Sequence, residues 1–167
     1  MKVQGELDVE EVKSDKKLVI RDSEHLDPGY KLKKNFEFPA ADQLRYDVTV
    51  NGFTHDGSNW GMNIILSNGS KSSLPMPSGW TDERLPDDVF PQKVICFYNY
   101  VNGHSHLNGV QYLDHNDKVL LEGGNSFGQQ RVVLLEEGER IIGVKSHTYD
   151  FSNPQHSDFQ LVIGRLV

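Results

Sequence analysis

Two histidines separated by one residue, His104 and His106, form the only tight histidine pair among the seven histidines of the chain. Side chains two residues apart on a β-strand point to the same face. Two neutral imidazoles on one face can ligate a metal ion. The pair is therefore the sequence's candidate metal site.

The surrounding residues favour a different interpretation of this pair. Cupin metal enzymes resemble it in their His-x-His spacing, but they carry a glutamate a few residues later, where this chain has Val110 and Gln111. Asn-Gly dipeptides at 102–103 and 108–109 flank the pair and indicate a loop with solvated histidines. We predict no metal and no cofactor, and a cupin-like metal enzyme is the weaker alternative.

Other reactive side chains also have simpler interpretations. Residues 114–117, Asp-His-Asn-Asp, resemble half a calcium loop, but they lack the glycine and the terminal glutamate that complete one. A hairpin turn is expected there. Cys96 lies in the apolar run 94–98, which is typical of a buried core cysteine. No P-loop, dinucleotide fingerprint or CxxC pair occurs in the sequence. We expect no catalytic residue and no enzyme.

Composition limits the function further. The 167 residues suit one domain, with 17 basic against 24 acidic residues and a net charge of −7. A positive face that could meet phosphates is not expected, which argues against nucleic-acid and anionic-membrane partners. A single cysteine cannot form an internal disulfide. Residues 1–8 lack the apolar region of a secretory signal, so a cytoplasmic location is expected.

Short apolar runs with period-two alternation predict the elements. Glycine, asparagine and aspartate separate them, notably at 27–29, 51–52, 68–69 and 102–103. Strands at such spacing predict an all-β sandwich, barrel or prism. The predicted strands are Leu18–Arg21, Leu44–Val50, Met62–Leu66, Val94–Tyr100, Gly109–Leu113, Lys118–Leu121, Gln130–Leu135, Ile141–Lys145 and Phe159–Ile163.

Two segments interrupt this rhythm. Residues 1–43 are rich in charge and are predicted to be an N-terminal extension or additional strands, with the all-β domain at 44–167. Residues 71–92 hold four of the seven prolines, which predicts a long surface loop. Trp80 lies in that loop, either as a lid over one end of the core or as a ligand platform.

The second half of the chain resembles a known family. Residues 122–128, Glu-Gly-Gly-Asn-Ser-Phe-Gly, are followed at 135–144 by the pattern L-x-x-G-E-x-I-x-x-V. Both are similar to the repeat of jacalin-related lectins, over about residues 93–166. The resemblance implies a β-prism of three Greek-key sheets that binds sugars through loops at one end. Gly138 would form the tight bend with Glu139 exposed at the turn, and Ile141, Ile142 and Val144 would enter the core.

The same resemblance implies a sugar site before the last strand. The family's loop reads G-x-x-x-D, and the matching residues here are 154–158, with Pro154 in place of the glycine. Asp158 falls on the sugar-binding aspartate and would accept hydroxyl hydrogen bonds. Backbone N–H groups at 157 and 159 would donate, and an aromatic ring at 147 or 149 would stack on the sugar. The expected carbohydrate-binding residues are Asp158, Ser157, Phe159, His156, His147 and Tyr149.

The sequence thus predicts an all-β single domain, either a β-prism or a related Greek-key β-sandwich. Its expected function is non-enzymatic, lectin-like recognition of a carbohydrate or glycoprotein. The alternative is a structural or assembly subunit on the same scaffold, with a protein partner or a homo-oligomer in place of a sugar.

Overall fold

The computed structural model describes residues 16–25, 34–55, 61–75, 79–86, 88–101, 104–148 and 155–167. These ranges contain eleven strands, one short 3-10 helix at Ala41–Gln43 and no α-helix. The strands are β1 (Leu18–Asp22), β2 (Lys34–Phe38), β3 (Val50–His55), β4 (Asn63–Leu66), β5 (Thr81–Arg84), β6 (Lys93–Val101), β7 (His104–Leu113), β8 (Val119–Gly124), β9 (Gln129–Leu134), β10 (Arg140–Thr148) and β11 (Ser157–Leu166).

The strands form three antiparallel sheets. The first has the order β1-β11-β10-β2, the second β4-β3-β5 and the third β8-β7-β6-β9. Both termini of the described fold meet in the first sheet, where β1 pairs with the C-terminal strand β11. Three sheets around a common interior form a β-prism, so the all-β prediction is confirmed in its first form.

The core lies between the sheets and contains aromatic and aliphatic side chains from all three. Phe53 and Tyr112 pack edge to face with ring centroids 5.6 Å apart. The Tyr112 hydroxyl donates to the carbonyl of Val50 at 3.1 Å, so the buried phenol keeps a hydrogen bond. Cys96 is fully buried, as predicted.

The strand predicted at 44–50 is wrong, because β3 begins only at Val50. The Asn51-Gly52 dipeptide that was expected to be a turn lies inside β3, at a bulge opposite β4. A Cβ on Gly52 would lie 2.5 Å from the carbonyl oxygen of Glu83. The glycine therefore permits close approach of β5 and does not mark a turn.

The predicted long loop at 71–92 contains a strand. β5 pairs with β3 through Gly52 to His55, and Pro75, Pro86 and Pro91 all lie outside it. Trp80 is half-buried immediately before β5. The strand predicted at Leu18–Arg21 is confirmed as β1, which pairs with β11, and one further strand within residues 1–43, β2, pairs with β10.

The second Asn-Gly dipeptide near the histidine pair is also part of a strand. His104 and His106 both lie on β7, so the loop predicted for them is wrong. The register pairs His104 with Val101 and His106 with Asn99 on β6.

The turn between β9 and β10 matches the prediction in its backbone but not in its acidic residue. Gly138 has a φ of 81°, as a tight bend requires, and Ile141, Ile142 and Val144 are buried. Glu139, which was predicted to be exposed, is 7% exposed because Arg21 of β1 pairs with it. Across the described ranges, no helix is both long and apolar enough to cross a membrane.

Candidate functional site

A bulge in the first sheet positions Asp158. Lys145 of β10 pairs with Gln160 of β11, and His147 pairs with Ser157, so β11 has one extra residue between these pairs. Asp158 lies in this bulge with a φ of 52°, in the left-handed region that few residues other than glycine adopt. Bulges re-aim side chains at the edges of sheets and beside functional sites.

Two histidines face the Asp158 carboxylate. The Nδ1 atom of His25 contacts Oδ1 within hydrogen-bond distance. The Nδ1 atom of His147 lies 3.2 Å from Oδ2, an electrostatic contact and not an aligned hydrogen bond. The carboxyl side chain is only 5% exposed, whereas that of His25 is 49% exposed. The buried carboxylate is therefore in contact with an imidazole that is itself half exposed to solvent.

A polar groove of about 280 Å³ opens beside this carboxylate on the outer face of the first sheet. Its walls include Asn35 and Glu37 from β2 and Lys145 from β10. The Lys145 ammonium also forms an ion pair with Asp22 at 2.9 Å. The side-chain amide of Gln160 donates a hydrogen bond from Nε2 to the carbonyl of Ser23 at 3.0 Å, which fixes its orientation. Such closely spaced donors and acceptors can exchange several hydrogen bonds with one hydroxyl-rich ligand.

His156 was expected to bind the sugar, but its side chain is packed inside the protein. The ring is fully buried and packs edge to face against Phe36 and Phe159. Its Nε2 is 2.7 Å from the carbonyl of Met62, so Nε2 carries the proton and Nδ1 accepts from the Ser146 hydroxyl at 2.6 Å. Burial lowers the pKa of His156 from 6.5 to about 4, which keeps the ring neutral.

The neighbours of Asp158 in the chain also point inward. The Ser157 side chain is buried and its hydroxyl donates to the carbonyl of His147 at 3.3 Å. The Phe159 ring is fully buried in the core. Any contact these two residues make with a ligand would therefore come from the main chain, in keeping with the backbone N–H donors expected at 157 and 159. Tyr149 and Pro154 lie outside the described residues.

The structure adds His25 to the site, a residue that sequence reasoning missed. His25 is 133 residues from Asp158 in the chain and reaches it because β1 pairs with β11. No local pattern around His25 indicates this contact. The signal that would have found it is the pairing of the first and last strands, since the predicted strand Leu18–Arg21 gave no indication of its partner.

The histidine pair on β7 lies apart from this groove's lining residues. His106 is 2% exposed, and the side chain of His104 lies outside what the structure describes. Among the described side chains, no group of three histidine, cysteine, aspartate or glutamate residues is placed to hold a metal ion.

Several solved structures have the same three-sheet architecture as this chain. The agglutinin of Calystegia sepium matches with a TM-score of 0.55 at 12% sequence identity, over 88% of this chain and 95% of that protein. The fold is the β-prism of the jacalin-related lectins. A recombinant single-chain jacalin matches this β-prism with a TM-score of 0.54 at 15% identity, over 88% of this chain and 94% of jacalin.

A bacterial β-prism is similar over a comparable length. The second β-prism domain of RbmC from V. cholerae has a TM-score of 0.52 at 17% identity, over 84% of this chain and 98% of that domain. No protein-family model and no curated protein matches the sequence.

Proposed function

We propose that this β-prism is a non-enzymatic, lectin-like module that binds carbohydrate in the groove beside Asp158. The proposal is supported by the solved structure of the RbmC β-prism domain, which is bound to N-acetylglucosaminyl-β-1,2-mannose. It is supported further by the polar side chains along the groove, among them Asn35, Glu37 and Gln160. The groove itself would take a neutral, hydroxyl-rich sugar residue, in a free glycan or in one carried on a glycoprotein.

The observation that carries the proposal is the buried carboxylate of Asp158, which lies between two imidazoles on a residue with a left-handed backbone. A φ of 52° costs a non-glycine residue about 1 kcal/mol or more, and such strain is typical of binding and catalytic sites. A glycine at this bulge would avoid that cost. An aspartate there keeps a carboxylate at the end of the groove, flanked by two imidazoles.

A ligand hydroxyl would replace the contact between His25 and Asp158. The carboxylate has about four lone-pair positions, so it can accept from a sugar hydroxyl while it still faces His147. The displaced His25 ring is half exposed and can remain hydrated. Each sugar hydroxyl buried without a partner would cost about 1–3 kcal/mol, so affinity depends on the groove supplying these hydrogen bonds.

Glycan-array binding of the full chain tests this function, with Asp158→Asn as the diagnostic variant. The amide keeps the shape of the side chain but accepts fewer hydrogen bonds, and we expect it to weaken glycan binding at least tenfold. Asp88→Asn is the matched control, because Asp88 is an exposed aspartate that also adopts a positive φ, of 63°. The proposal fails if the wild type binds no glycan, or if both variants bind as the wild type does.

A second candidate function, assembly with a protein partner or with a second copy, is supported by a different surface. Four aliphatic side chains on the edge strands β1 and β9 are between 43% and 68% exposed: Val19, Ile20, Val132 and Leu134. Exposed apolar residues on sheet edges favour association. Sedimentation of the wild type and Leu134→Lys tests this candidate, with Val119→Lys on the edge strand β8 as the control. A wild type that is monomeric at all concentrations rules out self-association.

A further inference from the structure

We propose that the carbohydrate site has a second subsite, in the cleft between β1 and β9, which takes an acidic sugar residue through Arg131. This inference rests on the proposed function and defines its ligand further. The ligand is an oligosaccharide with one neutral residue in the Asp158 groove and an adjoining hexuronate in the cleft.

The cleft runs along the seam where the first and third sheets present their edge strands to each other. Its volume is about 590 Å³, within the range of small-ligand sites and roughly twice that of the groove beside Asp158. One wall is formed by the end of β1 and the residues after it, through His25. The other wall is β9, from Arg131 to Leu134.

The two arginines of the cleft differ in their charge partners. Arg21 is neutralised by Glu139, with Nε 2.7 Å from Oε2 and Nη2 2.9 Å from Oε1. Arg131 has no carboxylate within 4 Å among the described residues, and its guanidinium lies 5.8 Å from the centre of the Tyr98 ring. Arg131 is therefore the cation that a ligand carboxylate can engage, in the two-pronged geometry that guanidinium groups favour.

His25 joins the cleft to the Asp158 groove. Its Nδ1 atom contacts the Asp158 carboxylate, and the same ring lines the cleft. The His25 ring thus touches a lining residue of the groove and is itself a lining residue of the cleft. A glycan whose first residue displaces His25 from Asp158 would bring its next residue against the cleft.

The remaining cleft residues suit the rest of a sugar ring. Val132 offers an apolar surface, 52% exposed, to the C–H face of a pyranose. Glu24 lies on the opposite wall from Arg131 and can accept from hydroxyl groups. This separation of charge orients the ligand, with its carboxylate towards β9 and its hydroxyls towards β1.

An array of matched oligosaccharide pairs tests the subsite. The members of each pair differ only in whether the residue next to the terminal sugar is a hexose or the corresponding hexuronic acid. We expect the wild type to bind the hexuronate member at least tenfold more tightly. Arg131→Gln should remove this preference without weakening binding of the hexose member. Arg45→Gln, at an exposed arginine paired with Asp47, should leave the preference intact.

The outcomes separate the two proposals. Equal binding of both members by the wild type, or a preference that survives Arg131→Gln, overturns the subsite and leaves carbohydrate binding at Asp158 standing. Absence of binding to every glycan overturns both. A change in sedimentation of Arg131→Gln with no change in glycan preference overturns the subsite in favour of a protein interface at the seam.

Discussion

The guanidinium of Arg21 donates two hydrogen bonds, 2.7 and 2.9 Å long, to the carboxylate of Glu139, which lies 118 positions later in the chain. The pair ties the N-terminal strand β1 to the turn between β9 and β10, beside the cleft. Glu139 also accepts from the backbone N–H of Glu136 at 2.8 Å. The Glu139 carboxylate thus forms hydrogen bonds both within the turn between β9 and β10 and with strand β1.

Removing this carboxylate should destabilise the fold. Glu139→Gln leaves Arg21 without its charge partner, but Arg21 is 45% exposed and regains water, so we expect a loss of about 1 kcal/mol in the free energy of unfolding. Urea denaturation of the wild type, both single variants and the double variant with Arg21→Gln measures the coupling. A coupling energy of zero would contradict the pairing.

Acid should weaken the fold through His156. Its pKa is lowered by burial to about 4 in the folded state, against 6.5 in the unfolded chain. The unfolded chain therefore binds the proton first, and stability is full above pH 6.5 and is lost as the pH falls towards 4. The difference between these two pKa values corresponds to a loss of at most about 3 kcal/mol in the free energy of unfolding.

His156→Gln isolates this effect, because glutamine keeps a donor and an acceptor but does not titrate in this range. We expect the variant to be less stable at pH 7 and to lose less stability on acidification to pH 4. Parallel pH profiles of unfolding free energy for wild type and variant would show that the histidine does not carry the effect.

A stacked arginine should stabilise the end of the prism where β10 begins. The Arg140 guanidinium lies 4.3 Å from the centre of the Tyr46 ring and 4.2 Å from that of the Phe90 ring. Lysine keeps the charge but cannot stack a planar group between two rings. We expect Arg140→Lys to lower the free energy of unfolding by about 1 kcal/mol, measured by thermal denaturation. An unchanged Tm would mean that the rings do not hold the guanidinium.

Two glycines with positive φ should respond differently to alanine. A Cβ on Gly128 would lie 2.4 Å from the carbonyl oxygen of Tyr98, whereas a Cβ on Gly69 would meet nothing within 4 Å. Gly69→Ala should therefore cost only the backbone strain, about 1 kcal/mol. Gly128→Ala adds a collision with backbone and should cost clearly more. Equal shifts in the denaturation midpoint would contradict this distinction.

Much of the fold was predictable because the second half of the chain is locally consistent. From Val94 onward, alternation predicts a strand at each of β6 to β11, although the strands predicted for β7, β10 and β11 cover only about half of the observed lengths. β5 was missed because all four of its residues are exposed, so it has no apolar alternation to detect. Strand β2 was not assigned individually, although Phe36 and Phe38 alternate with polar residues, because residues 1–43 were treated as one charge-rich segment.

The candidate site was predictable only in part. Asp158 and His147 lie within one hairpin, so a motif near the last strand was enough to place them together. His25 and Arg21 come from β1 or the residues directly after it, and their partners depend on which strand β1 joins. That pairing is a property of the whole fold, and no window of sequence around residues 16–25 contains it.

Titration of an array-selected glycan into the protein, followed by NMR of the histidine ring nitrogens, tests carbohydrate binding at Asp158 most directly. We expect the ring signals of His25 and His147 to shift with saturation. The ring signal of His115, in the exposed turn between β7 and β8, should stay unchanged. Saturable shifts at His115 with none at His25 and His147 would place the ligand elsewhere and contradict the account.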